Sequence, residues 1–149
     1  MPKKYHRTTV EMPKICQFFY VYLQRNSIND MKILYVTDAL AIWGGIERVL
    51  SDKMNYLVRE YGYEVYVVTA DQGAHPIPFP LDERIHVKDL SIRFHQQYKY
   101  HGLRRILKYW ELERLFRDRL ERYIIEIRPD IISCIRDGYA NTVLSTKRH

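Results

Sequence analysis

The chain has 149 residues, 46% of them hydrophobic and 28% charged, which is enough for one ordinary domain with a buried core and too apolar for a disordered chain. A net charge of +6 and a pI near 9.3 favour acidic partners such as phosphates, anionic lipid or nucleic acid, without choosing among them. Two cysteines, Cys16 and Cys134, do not make a disulfide framework, the six histidines are scattered rather than set at metal-ligand spacing, and no segment reaches the roughly 18 to 20 apolar residues of a membrane helix.

Residues 1–30 are aromatic and basic, with neither helical nor strand period. They read as an extension outside the fold: either a leader, or an arm whose aromatics and lysines suit a lipid headgroup interface. The run Ile15 to Leu23, behind Lys3, Lys4, Arg7 and Lys14, has the makeup of a signal peptide, but Gln24, Arg25 and Asn26 follow it instead of a small-residue cleavage site. From Met31 the pattern becomes that of a domain.

The first strand is Lys32 to Thr37. A polar loop with Gly44-Gly45 leads into a helix from about Gly45 to Tyr61, whose stripe is Ile46, Val49, Leu50, Met54, Leu57, Val58 and Tyr61. Gly62 stops it. The second strand is Glu64 to Thr69, rich in β-branched and aromatic residues. Residues 71–82 form a loop holding Pro76, Pro78 and Pro80. The third strand is about Ile85 to Leu90, and a polar loop, 91–100, follows. A long helix near His101 to Ile127 has the stripe Leu103, Ile106, Leu107, Trp110, Leu115, Phe116, Leu120, Ile124 and Ile127, and Arg128-Pro129-Asp130 ends it. The fourth strand is Ile131 to Ile135, in which Cys134 reads as a small buried hydrophobe. Asp137-Gly138 then turns into an apolar segment, Tyr139 to Leu144.

Strands separated by amphipathic helices imply a parallel sheet with right-handed crossovers, so the fold class is α/β, doubly wound and Rossmann-like. Ligands in such sheets sit beyond the carboxyl ends of the strands. Two loops are expected to meet there, Asp38 to Gly45 and Arg136 to Asn141. The first is a strand, a glycine turn and a helix N-terminus, which presents free N–H groups and a positive dipole end to an anion such as phosphate. Glycine there lets a ligand approach the backbone.

The stretch from Met31 to Thr69, with Gly-Gly-x-Glu after its first strand and Gly-Tyr-Glu-Val-Tyr-Val-Val-Thr at its end, resembles the amino-terminal domain of family 4 retaining glycosyltransferases of the GT-B fold, as does Arg128 to Cys134. The resemblance covers about residues 31–145. It implies transfer of a sugar from a nucleotide-diphosphate sugar to a glycan or lipid-linked acceptor, in work such as surface polysaccharide synthesis. The donor is a co-substrate, and no cofactor is implied. Gly44 and Gly45 match the glycine loop that lies against the donor diphosphate. Glu47 matches the motif's acidic position, and dipole stabilisation in the first helical turn suits it equally. Asp38, Trp43, Arg136 and Asp137 fall on the acceptor side of the cleft. Trp43 is suited to stack on a sugar ring or to sit at a domain interface.

The chain departs from that family in two ways. Many relatives carry a histidine at the end of the fourth strand, where this chain reads Ser133, Cys134, Ile135, Arg136 and Asp137. The carboxyl-terminal domain that holds the donor nucleotide is absent, so residues 31–149 are expected to be an acceptor-side domain incomplete at its C-terminus and inactive alone. The expected partners are that missing domain or a second copy, because a bare edge on the fourth strand and apolar groups such as Val143 and Leu144 invite self-association. The expected location is cytoplasmic, at the inner membrane face.

Residues 101–127 mix basic and acidic side chains, and two readings stand. One is a solvated face with ion pairs such as Glu113–Arg117 and Asp118–Arg122. The other is docking on anionic lipid by Arg93, Lys99, Arg104, Arg105 and Lys108. A non-catalytic module binding a nucleotide, sugar phosphate or protein is the alternative function. Nucleic-acid binding lacks a recognisable module, and a dinucleotide-dependent oxidoreductase lacks the G-x-G-x-x-G spacing.

Overall fold

The computed structural model describes residues 20–23 and 31–146. The elements are β1 (Tyr20–Leu23), β2 (Lys32–Thr37), α1 (Gly45–Tyr61), β3 (Glu64–Thr69), β4 (His86–Asp89), a 3-10 helix (Phe94–Lys99), α2 (Leu103–Ile127), β5 (Ile131–Cys134) and α3 (Asp137–Thr146). They form one sheet in the order β1-β5-β2-β3-β4. The strands β5, β2, β3 and β4 are parallel, as the α/β reading requires.

Strand β2 is central because its sequence is apolar on both faces. Ile33 and Tyr35 pack with Leu50, Met54 and Val58 of α1. Leu34 and Val36 pack with Leu112, Phe116 and Leu120 of α2 and with Ala140 and Val143 of α3. A strand covered on both faces reads as a continuous hydrophobic run. The ends of the β2–β5 pair are pinned as well. Lys32 N donates to Asp130 Oδ2 at 2.9 Å, Asp130 N to Lys32 O at 2.9 Å, and Ile135 N to Val36 O at 2.9 Å.

Residues 20–23 correct the expectation that all of 1–30 lies outside the fold. The run Tyr-Val-Tyr-Leu pairs antiparallel with β5, from Tyr20↔Cys134 to Leu23↔Ile131. An edge strand with unpaired N–H and C=O groups is a template for another strand, and an aromatic, β-branched segment suits that position. The edge of β5, expected to be bare, is therefore paired. Val143 is buried rather than uncovered. The rest of the extension, with Cys16, and the side chain of Leu144 lie outside the described residues.

Helix stops follow the sequence. Gly62 takes the left-handed conformation (φ 67°) and its N–H returns to Leu57 O. Arg128 does the same (φ 53°), donating to Ile124 O just before Pro129. The helix faces differ from the expected stripes. In α1, Ile46, Val49 and Tyr61 are exposed, and Ser51 is buried beside Leu50. In α2, Leu112, Phe116, Leu120 and Ile127 are buried, whereas Leu103, Ile106, Leu107 and Trp110 face solvent. Helix phase is the reason: at about 100° per residue Leu112, Leu120 and Ile127 lie within about 40° of Phe116, while Ile106, Trp110, Leu103 and Leu107 lie about 80–180° round from it, and Ile125, in phase with Leu107, is exposed too. The expected pairs Glu113–Arg117 and Asp118–Arg122 are not formed among the described residues, and the ion pair on this helix is Lys108–Glu111 at 2.9 Å.

Two consequences are measurable. Ser51 Oγ is buried with no hydrogen-bond partner among the described residues. Ser51→Ala should stabilise the fold by about 1 kcal/mol, through relief of that desolvation and better helix propensity, as seen in urea unfolding. Burial pushes the Cys134 thiol up from 9.0 to about 12, and the Tyr35 hydroxyl up from 10.0 to about 12. The unfolded chain releases these protons first. Stability is therefore whole below about pH 9 and should fall as pH rises towards 12, as urea unfolding at a series of pH values would show.

Candidate functional site at the sheet switch point

The chain leaving β2 goes to α1 on one face of the sheet, and the chain leaving β5 goes to α3 on the other. The point where connections from neighbouring strands diverge opens a crevice at the carboxyl ends of the strands. The N-terminal ends of α1 and α3 both lie on that edge, because each helix is the next element after its strand, across the Asp38–Gly44 loop for α1 and Ile135-Arg136 for α3. Their first-turn N–H groups, apart from Tyr139 N, which donates to Arg136 O at 3.1 Å, and their positive dipole ends favour an anion there.

Asp38 immediately follows β2 and is the hub. Its carbonyl accepts from Ala70 N at 3.0 Å and Asp71 N at 2.9 Å. Its carboxylate takes Arg136 Nε at 2.6 Å on Oδ2 and the Tyr139 hydroxyl on Oδ1. The two loops expected to meet are thus joined by side chains. Burial pushes the Tyr139 hydroxyl well above its ordinary pKa, and the hydrogen bond and charge of Asp38 push it further, so it remains a proton donor at neutral pH. Its ring lies 4.9 Å from that of Phe116. The Arg136 side chain is 70% exposed, with Nε engaged by Asp38.

Gly44 and Gly45 begin α1. Neither has positive φ. A Cβ on Gly45 would meet nothing within 4 Å, and one on Gly44 would meet chiefly the flexible end of Glu47. The fold therefore does not require glycine at either position. What glycine does here is leave the Gly45 backbone open to approach and make room for the Glu47 carboxylate at Gly44. Glu47 lies over Gly44, in the first turn, where its charge suits the dipole.

The loop behind this edge is held by buried polar groups. Leu40 N donates to Gln72 Oε1 at 2.6 Å, and Gln72 Nε2 donates to His75 O at 2.8 Å. Asp89 accepts from Gln72 N, Gly73 N, Ser91 N and Ser91 Oγ at 3.0–3.2 Å. Burial raises the pKa of its carboxyl, but these donors outweigh burial and hold it below the usual carboxylate range. Asp89 is consequently an organiser of the loop rather than a spare base.

The structure brings together Asp38 and Arg136 of the residues singled out in the sequence. Trp43 is 80% exposed and sets its ring edge-on to Phe79, at 5.5 Å, against the proline-rich loop. Asp137 starts α3, and its side chain lies outside the described residues. Arg93, Lys99, Arg104 and Arg105 are exposed around the start of α2, whereas Lys108 is half-buried and held by Glu111. Tyr139, Gln72 and Asp89 escaped sequence reasoning. Tyr139 lies within the expected Arg136 to Asn141 loop, but it opens an apolar run that reads as core, so its hydroxyl is not singled out. A separate concavity of about 480 Å³ lies at the opposite edge of the sheet, between Gly62, Tyr66, Arg84 and His86.

Among the described residues no group of three His, Cys, Asp or Glu is placed to hold a metal ion, and no helix is long and apolar enough to cross a membrane. Compared with protein families, curated proteins and solved structures, the chain gives no match.

The hub separates into a strong and a weak contact. Tyr139→Phe should cost about 2 kcal/mol in urea unfolding, since it leaves a half-buried carboxylate short of a donor. Arg136→Ala should cost less than about 1 kcal/mol, because that pair faces water. A double-mutant cycle with Asp38→Asn should assign the Tyr139 loss to Asp38.

Proposed function

We propose that this chain is the acceptor-side half of a nucleotide-sugar-dependent glycosyltransferase, working at the cytoplasmic side of a membrane. One observation carries the reading. The N-termini of α1 and α3, the Gly44-Gly45 turn and the exposed Arg136 all follow the carboxyl ends of β2 and β5, on one edge of the sheet. This is chemistry for a phosphate-bearing ligand. The sequence resemblance to family 4 retaining glycosyltransferases gives the phosphate its identity as the diphosphate of a sugar donor.

In that reaction the leaving nucleoside diphosphate gains negative charge as the glycosidic bond breaks. Preorganised N–H groups at Gly44 and Gly45 and the guanidinium of Arg136 would stabilise that charge. The nucleoside would be held by a second domain, as in the resembled family. Asp38 is already engaged by Arg136 and Tyr139, so its role is to aim Arg136 rather than to take a proton. That engagement equally suits a second reading, a module that binds a nucleotide or sugar phosphate without chemistry. Sugar turnover when a nucleotide-binding domain is supplied would exclude the second reading.

Inorganic pyrophosphate is the minimal probe of the shared site. In amide NMR titrations it should shift Gly44, Gly45 and Ile46, and Arg136→Ala should weaken its binding about tenfold. Shifts confined to the concavity near Gly62 and His86, or none, would overturn the proposal. Gly45→Ala should leave stability unchanged or raise it by about 0.5 kcal/mol, while weakening pyrophosphate through the added methyl group.

A further inference from the structure

The start of α2 is an unpartnered apolar stripe with a cationic rim. Leu103, Ile106, Leu107 and Trp110 recur at three-and-four spacing and are 77%, 56%, 63% and 67% exposed. They stand out because they lie on the side of α2 turned away from the core, which the helix meets through Leu112, Phe116 and Leu120. Residues 91–110 carry Arg93, Lys99, Arg104, Arg105 and Lys108 and no acidic residue. Tyr98 and Tyr100 are exposed just before the helix, and the Arg105 guanidinium lies 4.7 Å from the Tyr98 ring centre.

We propose that this tip, residues 93–110, docks on an anionic phospholipid surface. Apolar side chains on one face with aromatics and cations beside them are what an interfacial helix requires: the stripe enters the acyl boundary and the cations meet headgroup phosphates. A second copy of the chain fits less well, since stripe against stripe would bring two cationic rims together. Nucleic acid would use the cations but leave the stripe in water.

The placement deepens the transferase reading, on which this step rests. The start of α2 lies at the carboxyl edge of the sheet. The rings of Tyr109, Phe94, Phe116 and Tyr139 follow one another at 6.4, 6.0 and 4.9 Å, and Tyr139 donates to Asp38. A membrane held at the tip would lie beside the crevice. The acceptor class this arrangement suits is a glycan or lipid anchored in that membrane.

The test is sedimentation of the full chain with vesicles of phosphatidylcholine alone and of phosphatidylcholine mixed with phosphatidylglycerol. The chain should sediment with the mixed vesicles and stay in solution with the neutral ones, and added salt should release it. At about fivefold per basic residue, the double variant R104E/R105E should bind mixed vesicles more than about 25-fold more weakly. L107S/W110S should also lose binding. Both variants alter exposed side chains, so circular dichroism and melting should match the parent. In a Trp43→Phe background, brominated lipid should quench Trp110.

Equal sedimentation with both vesicles, sedimentation with neither, or undiminished binding by R104E/R105E would overturn the proposal. Lipid-free dimers abolished by L107S/W110S would also overturn it and assign the stripe to a second copy. Vesicle binding is read without nucleotide or acceptor. Its failure leaves the pyrophosphate response at Gly45 standing, and the reverse holds too.

Discussion

The rest of the structure depends on the pairing of β2 with β5. A parallel strand at the centre of a sheet has its backbone groups taken on both edges and its side chains covered on both faces. Residues 33–36 meet that demand with four apolar side chains, which split evenly between α1 and the α2–α3 layer. The crossover through α2 brings Ile131–Cys134 alongside, and the reciprocal bonds between Lys32 and Asp130 set the register. Because β3 lies on the other side of β2, connections diverge at this pair, and the crevice follows from the topology.

The candidate site inherits its electrostatics from that crevice. Helix N-termini and Arg136 supply positive potential, and Asp38 is the negative group that organises it. Two of the acids near this edge are consumed in structure: Asp38 by Arg136 and Tyr139, Asp89 by a ring of backbone and serine donors. What stays available is donor capacity at Gly45 and Arg136, with the Glu47 carboxylate lying over Gly44. The balance suits stabilising an anion better than moving a proton. Gln72, though it contacts no candidate ligand group, fixes the Asp38–Gly44 loop through Leu40 N and so controls where the glycines stand.

The two edges of the sheet show how differently exposure can be handled. Beyond β5, a short antiparallel strand, Tyr20–Leu23, occupies backbone groups that would otherwise template a foreign strand. At the tip of α2 nothing in the described residues covers the apolar stripe, and its cationic surroundings set what can meet it. The same +6 charge that opens the reading of this chain as a binder of anions is concentrated there rather than spread evenly.

Local physics made much of this legible in the sequence. Runs such as Lys32–Thr37 and Glu64–Thr69 are strands because β-branched and aromatic side chains alternate into two apolar faces. Gly62 and Arg128-Pro129 stop helices through backbone geometry alone, and the glycine turn and both site loops were placed by the strand–helix alternation. Tertiary structure decided what depends on distance. Periodicity says that Leu103, Ile106, Leu107 and Trp110 share one face of α2 and Leu112, Phe116 and Leu120 another, but only packing on the sheet decides which of the two is covered. An aromatic stretch without period became a strand because β5 had an open edge to satisfy. Tyr139 became the partner of Asp38 because a crossover of 25 helical residues returns the chain beside β2. Such partners are separated by about a hundred residues in the chain, and no local pattern encodes which of them will meet.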